Sequence, residues 1–504
     1  MKLNLKIPVA RLLCLTLLLG AACQNPPPAE TETEADEMAE APTQYVRKNA
    51  SDPAAAADIE AMVTAFDKLK KLPCTDPVSW YYQGAIHWVP NNIPNGNPPC
   101  PEYQDSSQVM PAWMNCTHAP GSKLHFLIWH RLYIYYLERI IRKYSGKTDF
   151  ALPYWDYTDV NYRTMPEAFR KEGSSIYASA RLDSLNKGFP IGPFMDQNLD
   201  VTDLFENRLF SAFNSTINDA PHGAMHDYIG GAYAHINVWN EIYQQDGSGL
   251  MAEVSSAAFD PIFWLHHSNI DFLWQEWENS PNGARPKLKA LEDAPWGYTF
   301  FDENGSKIEL TVAEAYDMAF NKMDYTYDAF EQKQLLTSTE IMLQEDQEPE
   351  VIASSKPKRK IRESTSQFAI DLSSKKDKSL LKSDKQAHVM LLTVKVSFLK
   401  QPAHSYEVYI REQGADDKLV SKENLAGIMT FFGAEHHATA HQGHGHKHNA
   451  GDRIESSFTF DITDELDLSK FNGKLDIDIR RKGKPTDQEI VIEEIILEKV
   501  AIDQ

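Results

Sequence analysis

Histidines are the residues of this sequence whose spacing most directly indicates chemistry. The chain contains 17 of them, unevenly distributed. His222 and His226 lie four residues apart, so a helix would place both imidazoles on one face, one turn from each other. This pair alone is a weak signal, because two core or surface histidines can share the same spacing. The other candidates are His87, His118, His125, His130 and the adjacent pair His266–His267.

Imidazole is a ligand for zinc, copper, iron and nickel, and the rest of the sequence narrows this choice. A zinc enzyme normally combines three protein ligands with a base, and a carboxylate-bridged diiron site uses Glu-x-x-His pairs, which this sequence lacks. Two groups of three histidines without carboxylates therefore favour a pair of copper ions. Adjacent helical residues point about 100° apart, so we expect His266 and His267 to face different directions.

Helices must carry most of these histidines. Apolar periodicity predicts helices over Asp58–Leu72, Phe126–Tyr144 and Asp260–Glu278, with Pro261 in the first turn of the last one. We interpret the charged stretch 346–385, which contains the basic run KPKRK, as a linker. Five β-rich segments follow, and they predict an antiparallel sandwich or barrel. They are Val389–Leu399, Tyr406–Arg411, Glu455–Ile462, Leu475–Ile479 and Ile490–Leu497.

The N-terminus has the composition of an export signal. Basic residues precede the apolar run Leu12–Leu19, and small residues precede Cys23, so we interpret residues 1–22 as a signal peptide. Cys23 resembles the cysteine of a bacterial lipoprotein box and predicts a lipid anchor in the bacterial envelope; the alternative is plain export and secretion. Residues 23–45 have the composition of a disordered tether. The net charge of −22 argues against nucleic-acid binding, and membrane contact is expected only through the anchor.

Longer motifs resemble those of the type-3 copper family, which comprises tyrosinases, catechol oxidases and molluscan haemocyanins. They are CTH at 116–118, FLIWHRLYIYYLER at 126–139, ALPYWDY at 151–157, PHGAMH at 221–226 and SAAFDPIFWLHHSNIDFLW at 256–274. The segment PWGYTFFDENGSKIELTV at 295–312 and the β-rich end are similar to those of plant polyphenol oxidases. The resemblance implies a mainly α copper domain, a four-helix bundle holding a dicopper site, followed by an all-β, sandwich-like C-terminal domain.

The resemblance also implies domain boundaries. Residues 46–285 form the tyrosinase-like dicopper domain, 286–345 a middle segment like that of plant polyphenol oxidases, and 386–504 the C-terminal domain. In latent members of the family such a domain covers the active site, and we expect the same cover here. A run with six histidines between His436 and His448 would either collect copper for delivery or have only incidental affinity for it.

The ligand set follows from the same resemblance. One copper ion is expected at His87, His118 and His130, and the other at His222, His226 and His267. His118 is chosen because Cys-Thr-His resembles the pattern in which a cysteine, here Cys116, forms a thioether bond to this ligand. His125 is the alternative ligand, and otherwise a packed histidine near the site.

Three cysteines lie in the folded body, and export makes one disulfide plausible. With Cys116 in the thioether that the resemblance implies, Cys74 pairs with Cys100. The alternative is a Cys100–Cys116 disulfide with Cys74 free.

The sequence departs from the family at positions that control the reaction. Asn218 stands where plant enzymes often have a glutamate that holds a water, and Gly223 stands where efficient monophenolases often have asparagine. Both differences argue against strong monophenol hydroxylation, unless Asp219 replaces the glutamate. Val254 stands where many plant enzymes carry a phenylalanine over the copper, which would leave the entrance open unless Val254 is only a core residue. Asp271 would orient its helix or a ligand, or else be a surface charge or a structural hydrogen-bonding group.

These features predict an oxidase that converts o-diphenols to o-quinones while dioxygen is reduced to water, with weak or absent hydroxylation of monophenols. The expected partners are a small phenol and dioxygen. The alternatives are a tyrosinase with full monophenolase activity, an o-aminophenol oxidase and a haemocyanin-like oxygen-binding protein.

Overall fold

The computed structural model describes residues 44–88, 100, 123–292, 298–331, 342–344, 349–361, 364–372, 388–402, 404–412, 424–434, 453–464, 473–482 and 489–501. The predicted signal peptide, the Cys23 anchor, the Cys116–His118 thioether and the histidine-rich run 436–448 lie outside these residues and stay predictions. Within the described part of the chain, every helix is too short or too polar to cross a membrane.

The helices of the described residues lie mostly in the first two thirds of the chain. Their bounds are α1 Ala56–Leu69, α2 Trp80–His87, α3 Phe126–Ser145, α4 Glu167–Arg170, α5 Asp183–Asn186, α6 Asp196–Leu199, α7 Phe210–Ile217, α8 Ala224–Ile229, α9 Val254–Ala257, α10 Ile262–Glu278, α11 Leu288–Glu292, α12 Val312–Asn321 and α13 Asp328–Glu331. A six-residue π-type turn, Asn218–Gly223, joins α7 to α8.

Helix α3 is the central element of the helical domain. It is 20 residues long, and every residue from Phe126 to Glu138 is buried, because α1, α10 and α12 pack around it. It ends where Gly146 adopts a left-handed conformation (φ 82°) and its amide donates to the carbonyl of Arg142. The predicted helix over Phe126–Tyr144 therefore agrees with the structure within one residue.

Side-chain caps fix the starts of two other helices that carry histidines. The Ser79 hydroxyl accepts the amide of Tyr82 (3.1 Å) at the start of α2. The Asp260 carboxylate accepts the amide of Ile262 (3.0 Å) at the start of α10 and pairs with the buried Arg181 (2.5 Å). These caps satisfy backbone donors that the helix itself leaves without a partner.

The strands form small ribbons in the helical domain and two larger sheets at the C-terminal end. Their bounds are β1 Tyr45–Arg47, β2 Val238–Asn240, β3 Gln245–Gly247, β4 Ala284–Pro286, β5 Tyr298–Phe301, β6 Lys307–Leu310, β7 Tyr325–Tyr327, β8 Met342–Gln344, β9 Glu350–Ser355, β10 Arg359–Ile361, β11 Thr365–Asp371, β12 His388–Phe398, β13 Tyr406–Glu412, β14 Leu425–Met429, β15 Ile454–Asp461, β16 Lys474–Arg481 and β17 Ile490–Ala501.

The C-terminal domain is a sandwich of two antiparallel sheets. One sheet has the order β10-β17-β12-β15 with β9 also on β17, and the other has the order β11-β16-β13-β14. A separate apolar core fills the space between them, with Leu392, Val394, Val408, Ile477 and Ile492 among its members. The predicted all-β sandwich is thereby confirmed.

The prediction of a linker over 346–385 is wrong for its described part. This stretch supplies β9, β10 and β11, which all belong to the sandwich. The sequence of β11 is polar because its residues alternate between exposed and buried, with Phe368 and Ile370 pointing into the core. The KPKRK run at 356–360 lies where β9 and β10 meet along the edge of β17, and lysines at such an edge oppose pairing with another chain.

The segment 286–345 packs into the same core as the helices. Tyr298 and Phe300 of β5 and Phe320 of α12 are buried in it, and the ring of Phe300 lies 5.7 Å from that of Trp129 on α3. The described part of this middle segment is therefore an integral part of the helical domain's packing.

A buried charge network, which we call the Asp271 network, connects the helices to the N-terminal strand. Asp271 on α10 pairs with Arg131 of α3 (2.5 Å) and with Arg47 of β1 (3.0 Å), and it accepts hydrogen bonds from Tyr325 and Tyr327 of β7 (both 2.6 Å). Strand β1 pairs with β7 in parallel. Burial alone would raise the pKa of Asp271, but the two guanidinium groups hold this pKa below its ordinary value.

We predict that Asp271→Asn strongly destabilises the protein. It leaves two buried arginines short of a counter-charge, and breaking a buried ion pair on one side costs about 3–5 kcal/mol. The measurement is the urea midpoint of the copper-free protein. Asp67→Asn is the control, because it breaks an exposed pair with Lys71 (2.6 Å) and should cost less than about 1 kcal/mol. Equal effects of the two variants would contradict a structural role for Asp271.

Candidate metal centre

Five buried histidines from separate elements converge in the helical core. His87 is the last residue of α2, His130 lies in the second turn of α3, His222 in the π-type turn, His226 in α8 and His267 in α10. The ring centroids of His130 and His267 are 4.3 Å apart, and those of His222 and His226 are 4.6 Å apart. The structure thus brings together every predicted ligand except His118, which lies outside the described residues.

The ring nitrogens form two groups that each have the size of a metal site. One nitrogen each from His87, His130 and His267 lie within 4.8 Å of one another, and so do those of His222, His226, His266 and His267. His267 belongs to both groups and therefore lies between them. Two adjacent, nitrogen-only groups fit a pair of ions that prefer imidazole.

Backbone carbonyls determine which nitrogen each ring can offer. A carbonyl oxygen only accepts hydrogen bonds, so a ring nitrogen bonded to it must carry the proton, and in the neutral ring the other nitrogen keeps its lone pair. Four Nδ1 atoms donate in this way, which leaves Nε2 as the ligand atom. The bonds join His87 to Val254 (2.9 Å), His130 to Phe126 (2.8 Å), His222 to Asn218 (3.0 Å) and His226 to Met251 (2.9 Å).

The remaining histidines, His267, His266 and His125, differ in their hydrogen bonds. His267 is 1% exposed, and within the described residues neither of its ring nitrogens forms a hydrogen bond, as expected for a side chain prepared to bind metal. His266 instead shares a hydrogen bond with the hydroxyl of Tyr157 (2.8 Å), and His125 shares one with Tyr298 (2.6 Å). What distinguishes His267 from its neighbour is that it belongs to both nitrogen groups, while His125 packs against Tyr298.

Burial keeps one histidine of this centre, His267, in the neutral form. Burial, and then the neighbouring His130 and His222, keep the pKa of His267 well below its ordinary value. Neutral imidazole is the form that donates a lone pair to a metal ion. Phe263 lies against the rings of His267 (4.2 Å) and His87 (4.9 Å), which keeps the surroundings apolar.

A side chain of the C-terminal domain closes this centre. The ring of Phe432 stacks on that of His226, with centroids 4.0 Å apart and planes at 15°, and it lies 5.8 Å from His222. Thr430, two residues earlier, donates its hydroxyl to the carbonyl of Asp219 (3.0 Å). Apolar contacts hold the domains together nearby, and they involve Leu209, Ala212, Val389, Leu391 and Val500.

The other predicted positions have backbone or structural roles. Val254 is a buried core residue whose carbonyl accepts a hydrogen bond from His87. Asn218 also acts through its carbonyl, and Gly223 faces Thr430 and Phe432. Asp271 bonds to arginines and tyrosines and so holds its helix in place. Val254 is thus a core residue, and Asp271 is a buried hydrogen-bonding group and not a surface charge.

Cys74 and Cys100 form a disulfide bond, with Cα atoms 5.9 Å apart. The bond joins the turn before α2 to Cys100, a buried residue of the helical core. This is the pairing that leaves Cys116 available.

Sequence reasoning did not find Phe432 or the carbonyl partners of the histidines. Phe432 lies more than 150 residues beyond the last ligand, in an ordinary apolar run, so only the docking of the two domains reveals it. Carbonyl partners carry no side-chain signal, because any residue can supply them.

Known proteins resemble the chain in sequence and in fold. Residues 77–200 and 193–280 match the common central domain of tyrosinase. Tyrosinase HcTyr1 of Hahella sp. (strain CCB-MM4) is 31% identical over 284 residues, which cover 50% of this chain and 56% of that protein. The chloroplastic polyphenol oxidase of Spinacia oleracea is 26% identical over 291 residues, covering 52% and 43%. The chain therefore spans about half the length of these relatives.

The fold of both domains also has a solved counterpart. A latent aurone synthase (polyphenol oxidase) superposes with a TM-score of 0.63 over 92% of this chain and 90% of its own, at 16% identity. Residues 77–280 are therefore a tyrosinase-family domain of the type-3 copper class. The cofactor of this family is a binuclear copper centre, and the two groups of buried histidines fit it.

We predict that His267→Ala lowers the copper content of the purified protein by half or more, whereas His266→Ala retains full copper content. His267 contributes to both nitrogen groups, while His266 contributes to one of them and bonds to Tyr157 through Nδ1. Metal analysis after dialysis against copper measures the difference. The reverse order of the two variants would assign the ligand to His266.

We also predict a stability change that depends on His125. Burial lowers its pKa to about 4 in the folded protein, below the value of about 6.5 expected when unfolded. The unfolded chain therefore binds the proton first, and stability falls as pH decreases from about 6.5 towards about 4. In His125→Gln, the urea midpoint of the copper-free protein should decline less over this range. Parallel pH profiles for both proteins would contradict the prediction.

Proposed function

We propose that this protein is a copper-dependent phenol oxidase that converts o-diphenols to o-quinones while reducing dioxygen to water. The observation that carries the proposal is the convergence of buried, carbonyl-oriented imidazoles in a tyrosinase-family domain. Per dioxygen, two catechols each give up two electrons and two protons, and two waters form. When bound, copper supplies this redox chemistry, and the protein supplies orientation and exclusion of water.

The protein's own residues would share the work as follows. We propose that His87, His118 and His130 hold one copper ion, and that His222, His226 and His267 hold the other. The carbonyls bonded to Nδ1 fix each ring before metal arrives, which lowers the cost of assembling the site. Phe263 and the rest of the aromatic packing keep bulk water away from the ligands.

The preference for diphenols is the finer part of the proposal. Hydroxylation of a monophenol requires that its proton be removed close to the metal, which calls for a positioned base. Asn218 bonds to His222 through its backbone carbonyl, and its side chain is an uncharged amide. Gly223 has no side chain, so neither position supplies a base. The second candidate is a full tyrosinase, which the similarity to the Hahella tyrosinase favours.

We further propose that the protein is made in a latent form. Phe432 stacks on His226, where a phenolic ring would have to approach the second ligand group. A substrate must therefore displace this ring or wait until the C-terminal domain moves. Cleavage at the KPKRK run would not free the domain, because β9 and β10 on either side of it both pair with β17.

The test is oxygen uptake by the copper-loaded full chain with 4-methylcatechol and with p-cresol. We expect uptake with the catechol and little or none with the monophenol. Comparable uptake with both substrates would identify a full tyrosinase. Absence of uptake with either substrate, for the Phe432→Ala protein as well, would overturn the proposed oxidase function.

The stacking of Phe432 on His226 gives a further prediction. Phe432→Ala should raise kcat/KM for 4-methylcatechol about tenfold. An aromatic pair contributes roughly 0.5–1.5 kcal/mol beyond its buried area, and about 1.4 kcal/mol corresponds to a factor of ten. Phe432→Leu, which keeps most of the apolar volume, should give a smaller increase. If both variants match the unmodified protein in steady-state kinetics, Phe432 does not limit access.

A further inference from the structure

Gly223 occupies a position where the backbone does not require glycine. Its φ and ψ are −60° and −36°, ordinary helical values that any residue adopts. In a helix, alanine is more favourable than glycine, because glycine loses more backbone freedom on folding. The reason for a glycine here must therefore lie in its neighbours.

Those neighbours belong largely to the C-terminal domain. A Cβ atom at position 223 would lie 2.6 Å from Oγ1 of Thr430 and 3.4 Å from Cβ of Phe432, as well as 3.2 Å from the carbonyl of Asn218. The first distance is well below van der Waals contact. At position 223, the cover segment, which we define as Thr430–Phe432, therefore leaves no room for a side chain.

A hydrogen bond and burial oppose rotation of the Thr430 side chain. Its hydroxyl donates to the carbonyl of Asp219 (3.0 Å), and the residue is only 5% exposed. A β-branched side chain has few alternative rotamers, so turning the hydroxyl aside would leave a buried hydrogen bond unmade. The more accessible response to a larger side chain at 223 is a shift of the whole segment.

Such a shift would carry Phe432 with it. Phe432 follows Thr430 by two residues, and its ring stacks on His226. We propose that residue 223 controls the docking of the C-terminal domain, and that only glycine at this position allows the cover segment to reach the histidines. This inference deepens the latent state suggested under the proposed function and rests on it for its biological meaning.

Position 223 would link the docking of the cover segment to the choice between monophenols and diphenols. The asparagine that the family resemblance associates with monophenol hydroxylation would need the space that Thr430 occupies. A closed cover and a side chain at position 223 therefore exclude each other in this protein. Residue 223 decides both how the entrance is shaped and whether it is covered.

The experiment compares the full-length protein with Gly223→Ala, Thr430→Ala and the double variant by hydrogen–deuterium exchange of peptides covering 425–434. Chymotryptic cleavage at Phe431 and Phe432 is a second readout. For Gly223→Ala we expect at least tenfold faster exchange and faster cleavage. In the double variant, removal of Oγ1 relieves the closest contact, so exchange should return towards that of Thr430→Ala alone.

The controls make each outcome decisive. Gly247→Ala adds a Cβ where nothing lies within 4 Å and should leave the segment unchanged. Unchanged exchange in Gly223→Ala, or fast exchange that Thr430→Ala does not reverse, would overturn the proposal. If Gly223→Ala fails to fold, folding of the double variant supports the contact, and failure of both shows that the helix itself requires glycine. Exchange does not depend on catalysis, so these results remain separate from the test of oxidase activity.

Discussion

The structure depends on one constraint, that imidazoles buried in an apolar core must be neutral and must each direct one chosen nitrogen to a common point. Burial disfavours the charged ring, and a backbone carbonyl then directs the nitrogen, because it accepts the Nδ1–H bond and leaves Nε2 of the neutral ring with its lone pair. The carbonyls come from the first turn of α3, the π-type turn, the segment before α9 and the start of α9 itself. Each of these segments thereby orients one histidine of the centre.

The Asp271 network fixes how the two longest helices face each other. Arg131 directly follows His130 on α3, and Asp271 lies one turn beyond His267 on α10, so their ion pair sets the relative rotation of the helices that carry these two histidines. Arg47 brings the N-terminal strand into the same network. A buried cluster of this kind contributes little net stability compared with apolar packing, but it penalises any arrangement that leaves one of its charges alone.

The C-terminal domain completes the centre from outside the helical core. Its own apolar core lets it fold around two sheets, while the cover segment uses a short stretch after β14 to reach His226. The polar strands β9 and β10 explain why composition suggested a linker. An edge strand buries only one face and keeps charges on the other, so its composition resembles that of a chain without structure.

The sequence determined the chemistry of this protein and most of its elements. Spacing and motif identified the histidines, the long helices and the β-rich end, because helical and strand periodicities are local properties of the chain. Only the tertiary structure decided the rest. It placed His267 in both nitrogen groups and His266 in only one, gave Val254 and Asn218 backbone roles, and showed Gly223 beneath Thr430 and Phe432. These assignments depend on atoms far apart in the chain, and side-chain identity carries no record of which carbonyl or ring will lie beside it after folding.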